Sequence, residues 1–511
     1  MLLLTAAAGA IGCGNRQNPT INPINPTGPA GSAAGGYALV LTQPALQPAA
    51  SATNPCPLST NSTNNPYSQP AVATVIDFSG DSVLAQATVG YGPITSAIAP
   101  SSNEVYSLNC DGTISGIPLT PTLQSNNVTT TTLFAATTTG STGGQLSAPS
   151  IQTNMIVQNS AIYVTNPGLV PNANGGAGSP TGSVVGALTA GSPPSLLQAI
   201  PVAPALVALS GSPTSQRVYA ISQGATGSNV NWGQCTTPNA VTGNGEVDSI
   251  DTVTNAVSKR IPVGNCPVFG LTTPDGLRTF ILNRGSGTVT VINSQGDALD
   301  MSFNATGTIH VGAGPVYAAY FPQRALLVTA NYDSGTVSFI NVPLDSFGND
   351  VPGVFGTVLK TVNVGANPAA LSFLGDGSRV YVVLQGDPAN SAATGAIAVV
   401  NATSFNLQNT IAVPGHPRSI ASTYNNPEGK VYVVAPDSQL LTVLRTDTDT
   451  ISAQLQLQGC GVDVHTNYQY VGQSNIAGSA VSANTIVNMS NSPGSGAPTI
   501  SFTPTTASLC Q

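Results

Sequence analysis

Charged side chains are scarce in this 511-residue sequence. Lys, Arg, Asp and Glu together make up 6 % of it, against about 25 % in a typical soluble domain. Lys and Glu, which favour helices, each occur three times, so the composition disfavours an all-helical protein. Thr, Val, Ile, Gly and Asn are abundant instead, and these residues favour strands and tight turns. The composition predicts an all-β protein.

Basic faces and long apolar runs are also missing. With 12 Lys and Arg residues and a pI near 4.6, the chain cannot neutralise a phosphate backbone, so we expect no nucleic-acid partner. No apolar run reaches the roughly 18–20 residues that a membrane-spanning helix needs. The longest near-continuous run, from Leu2 to Gly12, is too short to span.

That apolar run ends at Cys13 and resembles a bacterial lipoprotein signal. The resemblance implies that residues 1–13 are the signal and that Cys13 is acylated, which anchors the protein to a membrane. Residues 14–36 are rich in Asn, Pro, Gly and Ala without apolar periodicity, which predicts a flexible linker. We expect an exported lipoprotein at the cell surface or in the periplasm. Secretion after cleavage of a plain signal peptide is the alternative.

The remaining chain repeats a unit of four short strands joined by tight turns. A strand with small and aromatic residues occurs eight times, at Tyr37–Leu41, Val105–Asn109, Ile162–Asn166, Val218–Ser222, Thr279–Asn283, Leu326–Ala330, Val380–Leu384 and Val431–Ala435. A second strand, opened by a proline, occurs seven times, at Pro93, Pro149, Pro204, Pro267, Pro315, Pro368 and Pro417. The prolines are 48 to 63 residues apart. Four-stranded repeats near this length predict a β-propeller, whose blades bury their faces against each other.

The two counts differ by one, and Gly461–His465 supplies the missing proline-type strand. The chain then begins with the second strand of a blade and ends with the first strand of the same blade, which closes the ring. We predict eight blades over residues 37–465, with seven blades as the alternative. Residues 466–511 are predicted to be a β-rich C-terminal extension.

Three segments resemble the YVTN-type β-propeller repeat of exported bacterial and archaeal proteins: Ile162–Asn166, Thr288–Asn293 and Val362–Pro368. The resemblance covers roughly residues 70–460 and implies the propeller fold. Relatives by this resemblance include surface-layer and cell-surface proteins and, more distantly, lactonase-like propellers. No lactonase site motif can be placed on this sequence residue by residue.

The six cysteines after Cys13 form an even set, which in an exported protein predicts disulfides. In a propeller, the loop after the second strand and the loop into the next first strand share a face. We therefore predict a bond between Cys235 and Cys266. Two further bonds, with three possible pairings, would join Cys56, Cys110, Cys460 and Cys510. Pairing Cys56 with Cys460 is favoured because it would lock the closing blade.

We expect no metal and no cofactor. The sequence has no C-x-x-C pair, and Asp463-x-His465 alone is a weak metal pattern. Three acidic clusters lack the spacing of a calcium loop and are predicted to form turns. They are Asp297 with Asp300, Asp345 with Asp350, and Asp447 with Asp449.

Five charged or titratable residues are predicted to ring one mouth of the central channel. Arg284, Asp333 and Asp387 follow aromatic strands, as Asp437 also does. His416 and Arg418 lie in the connection that enters an innermost strand. Because these loops share a face, we predict a ligand contact formed by Arg284, Asp333, Asp387, His416 and Arg418.

The sequence favours a non-enzymatic propeller lipoprotein that serves as a binding or structural scaffold. No G-x-S-x-G nucleophile motif lies between a strand and a helix. The expected partner is a protein, a glycan or a second copy of the chain. Two alternatives remain: a self-assembling surface-layer or filament subunit, and a lactonase-like hydrolase with its site at the channel mouth.

Overall fold

A computed structural model gives the fold of the chain. It describes residues 37–43, 70–78, 80–99, 104–109, 113–118, 129–132, 154–158, 161–166, 183–191, 193–212, 215–228, 243–387, 394–423 and 429–466. The predicted signal, the linker, Cys13, Cys56, Cys110, Cys235 and Cys510 lie outside these residues, as does the predicted extension after Thr466.

The described residues form eight antiparallel sheets that follow one another along the chain. Blade 1 holds β1 (Tyr37–Gln43), β2 (Val72–Asp77) and β3 (Ser82–Thr88). Blade 2 holds β4 (Pro93–Ile98), β5 (Glu104–Asn109), β6 (Thr113–Pro118) and β7 (Thr129–Thr132). Blade 3 holds β8 (Met155–Gln158), β9 (Ala161–Asn166), β10 (Ser183–Thr189) and β11 (Ser195–Val202). Blade 4 holds β12 (Leu206–Gly211), β13 (Arg217–Ser222), β14 (Glu246–Asp251) and β15 (Ala256–Pro262).

Blade 5 holds β16 (Pro267–Thr272), β17 (Arg278–Asn283), β18 (Thr288–Asn293) and an outer strand in two pieces, β19 (Ala298–Leu299) and β20 (Thr308–His310). Blade 6 holds β21 (Pro315–Phe321), a 3-10 turn (Pro322–Arg324), β22 (Leu326–Asn331), β23 (Thr336–Asn341) and β24 (Thr357–Asn363). Blade 7 holds β25 (Pro368–Phe373), β26 (Arg379–Leu384), β27 (Ala396–Asn401) and β28 (Leu407–Ala412). Blade 8 holds β29 (Ser419–Ser422), β30 (Lys430–Val434), β31 (Leu440–Arg445) and β32 (Thr450–Gln456).

The last strand, β33 (Cys460–Thr466), returns to blade 1 and pairs antiparallel with β1. Val40 faces Val464 in this register, and Leu39 faces His465. The first strands of neighbouring blades contact one another all the way round the ring. The prediction of an eight-bladed all-β propeller closed by the two ends of the chain is confirmed, and the seven-blade alternative is excluded.

Four of the seven predicted prolines open an innermost strand, Pro204 and Pro417 lie two residues before β12 and β29, and Pro149 lies outside the described residues. Pro93, Pro267, Pro315 and Pro368 are the first residues of their strands. Proline is tolerated there because it has no N–H to give to a ladder of hydrogen bonds. In all four blades the register with the second strand shifts directly after the proline. Proline thus combines a strand start with a β-bulge.

The aromatic strands are the second strands of the blades, and their tyrosines join neighbouring blades. The hydroxyl of Tyr381 donates to Asp449 at 2.6 Å, and that of Tyr432 donates to Asp81 at 2.9 Å. Each acceptor lies in the turn between the third and fourth strands of the next blade. Both adopt a left-handed backbone, with φ near 50°, which Asp and Asn tolerate better than most residues. The turn prediction for Asp449 is therefore correct, and the residue also holds the preceding blade.

Burial decreases from the inner to the outer strands. Second strands such as β5 and β26 are buried almost throughout, whereas outer strands such as β28 are mostly exposed. No helix in the described part of the chain is long and apolar enough to cross a membrane. The fold places the loops that follow the second strands at one end of a closed, rigid ring.

Candidate ligand site at the channel mouth

The loops after the second strands and the loops into the first strands lie together, on what we term the upper face. In blade 5 the N–H of Arg284 donates to the carbonyl of Cys266 at 2.9 Å. In blade 6 Tyr332 donates to Gly314 at 2.7 Å. In blade 8 Arg418 donates to Val434 at 3.0 Å. These backbone bonds fix the loops that carry the predicted site residues.

Arg284 and Asp333 form a bidentate ion pair between blades 5 and 6. The Nε and Nη2 atoms of Arg284 lie 3.2 and 2.8 Å from the two carboxylate oxygens of Asp333. The Arg284 side chain is 2 % exposed, and its guanidinium carbon lies 5.3 Å from the ring centre of Tyr332. This combination of charge pairing and ring contact makes Arg284 a rigid part of the rim.

His416 joins blade 8 to blade 7 through both of its ring nitrogens. Nδ1 lies 2.6 Å from Oδ2 of Asp437, and Nε2 lies 3.1 Å from the backbone carbonyl oxygen of Asp387. An ionised carboxylate and a carbonyl only accept hydrogen bonds, so both ring nitrogens must donate. The hydrogen bond to Asp437 raises the pKa of His416, against an opposing effect of burial. This geometry favours the charged form of the imidazole.

The pKa of Asp437 moves in the opposite direction. Burial raises it, but the hydrogen bonds from the ring and backbone of His416 outweigh burial and lower the pKa. The backbone N–H of His416 donates to Oδ1 at 2.7 Å. Both oxygens of Asp437 are therefore engaged by His416.

Arg418 lies close enough to Asp437 for their charges to interact. Nε and Nη1 are shielded from solvent and have no partner in the described part of the chain. Burial lowers the pKa of Arg418 to about 10, opposed by the charges of Asp437 and Tyr332. The guanidinium remains a cation at neutral pH.

Gln385 and Tyr332 complete the mouth, and the sequence did not single out either of them. The hydroxyl of Tyr332 donates to Oε1 of Gln385 at 3.1 Å, which joins blades 6 and 7. Gln385 is fully buried, and its Nε2 has no partner among the described residues. Both residues directly follow aromatic strands, so the signal that identified Arg284 could also have found them.

Deeper in the ring, Asp463 joins three innermost strands. Its Oδ2 accepts from the backbone N–H of Ser96 at 2.8 Å and from His465 at 3.0 Å, and its Oδ1 accepts from Ser419 at 2.8 Å. Burial raises the pKa of Asp463. His465 lowers it through its charge and its hydrogen bond, and the hydrogen bonds from Ser96 and Ser419 lower it further, so that the pKa is about 2. Asp463 and His465 are thus a buried ion pair at the ring closure.

The structure assigns no metal site to these groups. Among the described residues, no group of three His, Cys, Asp or Glu side chains could hold a metal ion. At the mouth, the Asp333 carboxylate pairs with Arg284 and the Asp437 carboxylate pairs with His416 instead. The contacts of Asp463 with His465 are those of an ion pair.

Each of the two specific cysteine pairs predicted from the sequence has one member, Cys235 or Cys56, outside the described residues. Cys266 and Cys460 are each disulfide-bonded, but no pair of bonded cysteines lies within the described part of the chain. The bonds between Cys235 and Cys266 and between Cys56 and Cys460 therefore stay predictions.

The five predicted site residues come from four consecutive blades and lie on one face. Arg284 and Asp333 pair with each other, and His416 contacts the backbone of Asp387. Arg418 takes part in neither of these two contacts. A ligand role for the five residues remains a prediction.

No protein-family model and no curated protein sequence matches this chain. Among solved structures, the dihydro-heme d1 dehydrogenase NirN in complex with DHE has a TM-score of 0.56 at 14 % identity, covering 88 % of this chain and 78 % of that one. AztD from Citrobacter koseri has a TM-score of 0.49 at 11 % identity and covers 84 % of this chain and 97 % of its own. A putative 6-phosphogluconolactonase from Bacteroides fragilis has a TM-score of 0.42 at 13 % identity, covering 73 % and 98 %. At such identities the likeness shows the fold alone: the chain is similar to β-propeller proteins, and its resemblance to the YVTN type stays a prediction.

Proposed function

We propose that this protein is an exported, lipid-anchored β-propeller that acts as a non-enzymatic binding scaffold, with its ligand contact at the mouth on the upper face. The observation that carries the proposal is the set of contacts tying the mouth together across blades 5 to 8. Arg284 with Asp333, Tyr332 with Gln385, and His416 with the Asp387 carbonyl each join two blades. Residues held in this way present a fixed surface to a partner.

The state of His416 favours binding over hydrolysis. A general base must have a free lone pair on the nitrogen that takes the proton. Both nitrogens of His416 already face acceptors, so the ring has no lone pair to offer. The carboxylate of Asp437 is likewise engaged by His416.

Export is supported by the cysteines. Disulfides persist in oxidising compartments outside the cytosol, and Cys266 and Cys460 are both in the disulfide-bonded form. The lipid anchor rests on the sequence around Cys13. Mass spectrometry of the mature N-terminus tests it: an acylated Cys13 is expected, and an unmodified N-terminus beyond residue 13 contradicts the anchor.

The binding function is tested with the purified propeller on glycan and peptide arrays, followed by a screen for lactone hydrolysis. We expect a ligand whose binding is weakened by Arg284→Gln and unchanged by Arg445→Gln. Arg445 is the matched control because it forms an exposed pair with Asp447. Catalytic turnover of a lactone that disappears in His416→Gln would favour the hydrolase alternative instead.

Self-assembly is a second candidate, favoured by the outer edges of blades 7 and 8. The outer strands β28 and β32 contain no charged residue, and most of their side chains are exposed. Edge strands usually carry charges that prevent pairing with another chain. Lys360 is such a charge in the outer strand β24. Negative-stain microscopy of cell material would reveal ordered arrays. The substitutions Gln408→Lys and Gln454→Lys are expected to disrupt such arrays. If the native protein forms only dispersed particles, assembly is contradicted.

A further inference from the structure

We propose that the mouth between blades 6 and 8 receives the carboxylate of a small organic acid on the guanidinium of Arg418. The inference rests on the proposed binding function and names the chemistry of its ligand. It follows from hydrogen-bond donors that the described residues leave unused.

Arg418 brings two such donors. Its Nε and Nη1 atoms are shielded from water and have no partner in the described part of the chain. A donor that loses its water without gaining an acceptor destabilises a fold, and native proteins contain few such donors. The residue as a whole is half-buried, and its backbone N–H is bonded to Val434 among the loops of the upper face. An acceptor supplied by a ligand would satisfy the guanidinium.

The nearest carboxylate cannot fill this role. Asp437 acts on Arg418 through its charge, but its two oxygens accept the hydrogen bonds of His416 at 2.7 and 2.6 Å. The other arginine of the mouth, Arg284, is fully paired with Asp333. Arg418 is therefore the cation of the mouth without a hydrogen-bonded counter-ion among the described residues.

Gln385 adds a third unused donor in the same region. Its Oε1 accepts from Tyr332, while its Nε2 has no partner among the described residues. The Tyr332 phenol also interacts electrostatically with Arg418, so Tyr332 connects the amide and the guanidinium. Together they offer a charged fork with a polar amide and a phenol nearby, which suits a carboxylate carried by a hydroxylated molecule.

The charge of the mouth favours a single negative charge on the ligand. Among the described residues, Arg418 has no hydrogen-bonded counter-ion. Ser419, the next residue, donates to the buried carboxylate of Asp463 at 2.8 Å. A phosphate dianion would bring two charges towards Asp437 and Asp463. A carboxylate brings one.

The test compares D-glucuronate with D-glucose, which has a hydroxymethyl group in place of the carboxylate, by isothermal titration of the purified propeller. We expect glucuronate to bind at least tenfold more tightly than glucose, and inorganic phosphate to bind more weakly than glucuronate. Arg418→Met is expected to lower glucuronate affinity at least tenfold, and Arg418→Lys, which keeps the charge without the fork, to fall between. Arg445→Gln is the control and should bind as the native protein does.

Thermal unfolding without ligand gives an independent readout. Because two donors of Arg418 have no partner among the described residues, the melting temperature of Arg418→Met is expected to equal or exceed that of the native protein. A clear loss of thermal stability would show that the guanidinium already has an internal partner and would overturn the proposal.

The remaining outcomes separate the inference from the proposed function. Equal binding of glucose and glucuronate, or unchanged binding by Arg418→Met, overturns the carboxylate site and leaves a binding function standing. Conversion of D-glucuronolactone to glucuronate by the native protein contradicts the non-enzymatic function. In that case the relative affinities of D-glucuronate and D-glucose still decide whether Arg418 binds a carboxylate.

Discussion

Both faces of the propeller carry ion pairs between neighbouring blades, but the two faces differ in whether every cation has a hydrogen-bonded acid among the described residues. On the lower face, formed by the turns after the first and third strands, Lys430 lies 2.7 Å from Asp81 and Arg379 lies 2.5 Å from Asp449. Each pair joins one blade to the next, and a tyrosine donates to the same carboxylate. On the upper face Arg418 has no hydrogen-bonded acid among the described residues. Complete pairs join neighbouring blades on the lower face, and the proposed ligand site lies where such a pair is incomplete.

Removing a buried cation of the lower face should have the largest effect. The Arg278 side chain is 2 % exposed and lies 2.8 Å from Asp300 and 2.7 Å from Asp350. Arg278→Met would leave these acids buried without a counter-ion, which is expected to cost about 3–5 kcal/mol of unfolding free energy. Urea denaturation measures the loss. Arg445→Gln, in an exposed pair, should stay within about 0.5 kcal/mol of the native protein, and equal effects of the two substitutions would refute the comparison.

Asp463 predicts a dependence of stability on pH at the ring closure. Its pKa of about 2 in the folded protein lies below the ordinary value of 3.8. A depressed pKa stabilises the fold above pH 4, and this contribution is lost as the pH falls towards 2. The native protein should therefore lose about 2 kcal/mol more than Asp463→Asn over this range. Parallel stability curves for the two proteins from pH 2 to 5 would contradict the assignment.

A single hydroxyl should report the strength of the tyrosine contact between blades 8 and 1. Tyr432→Phe removes the hydrogen bond to Asp81 but leaves the ion pair with Lys430. We expect a loss of about 1.5 kcal/mol, as for a hydrogen bond to a charged acceptor. Chemical denaturation of the variant gives the value. Tyr317→Phe is a comparison on the innermost strand, away from this turn, and a larger effect there would weaken the interpretation.

On the upper face, His416 and Asp437 should give the smallest effect. The raised pKa of His416 stabilises the fold below its unfolded value of about 6.5, and the contribution is lost as the pH rises through the folded pKa. Asp437→Asn should therefore cost about 1 kcal/mol at pH 6 and less at pH 9. Denaturation at the two pH values tests the sign, and a larger loss at pH 9 would contradict it.

The repeat accounts for most of what could be predicted from the sequence. Proline placed the first strands, the aromatic pattern placed the second strands, and Gly461–His465 identified the closing strand β33. The site was predicted in part. Residues after aromatic strands share a face, which located Arg284, Asp333 and Asp387, but the choice of charged residues alone passed over Gln385 and Tyr332 at equivalent positions. Those two matter through hydrogen bonds across blade boundaries.

The sequence by itself determined the blade, its turns and the closure of the ring, because each depends on local propensity and on a pattern that recurs in every blade. Only the tertiary structure decided which charges meet. Arg278 and Asp350 are 72 residues apart and Arg379 and Asp449 are 70 apart, so each pair forms between neighbouring blades. Whether a given arginine finds its acid, as Arg379 does, or faces an acid that is already engaged, as Arg418 does, depends on the packing of the blades around the ring.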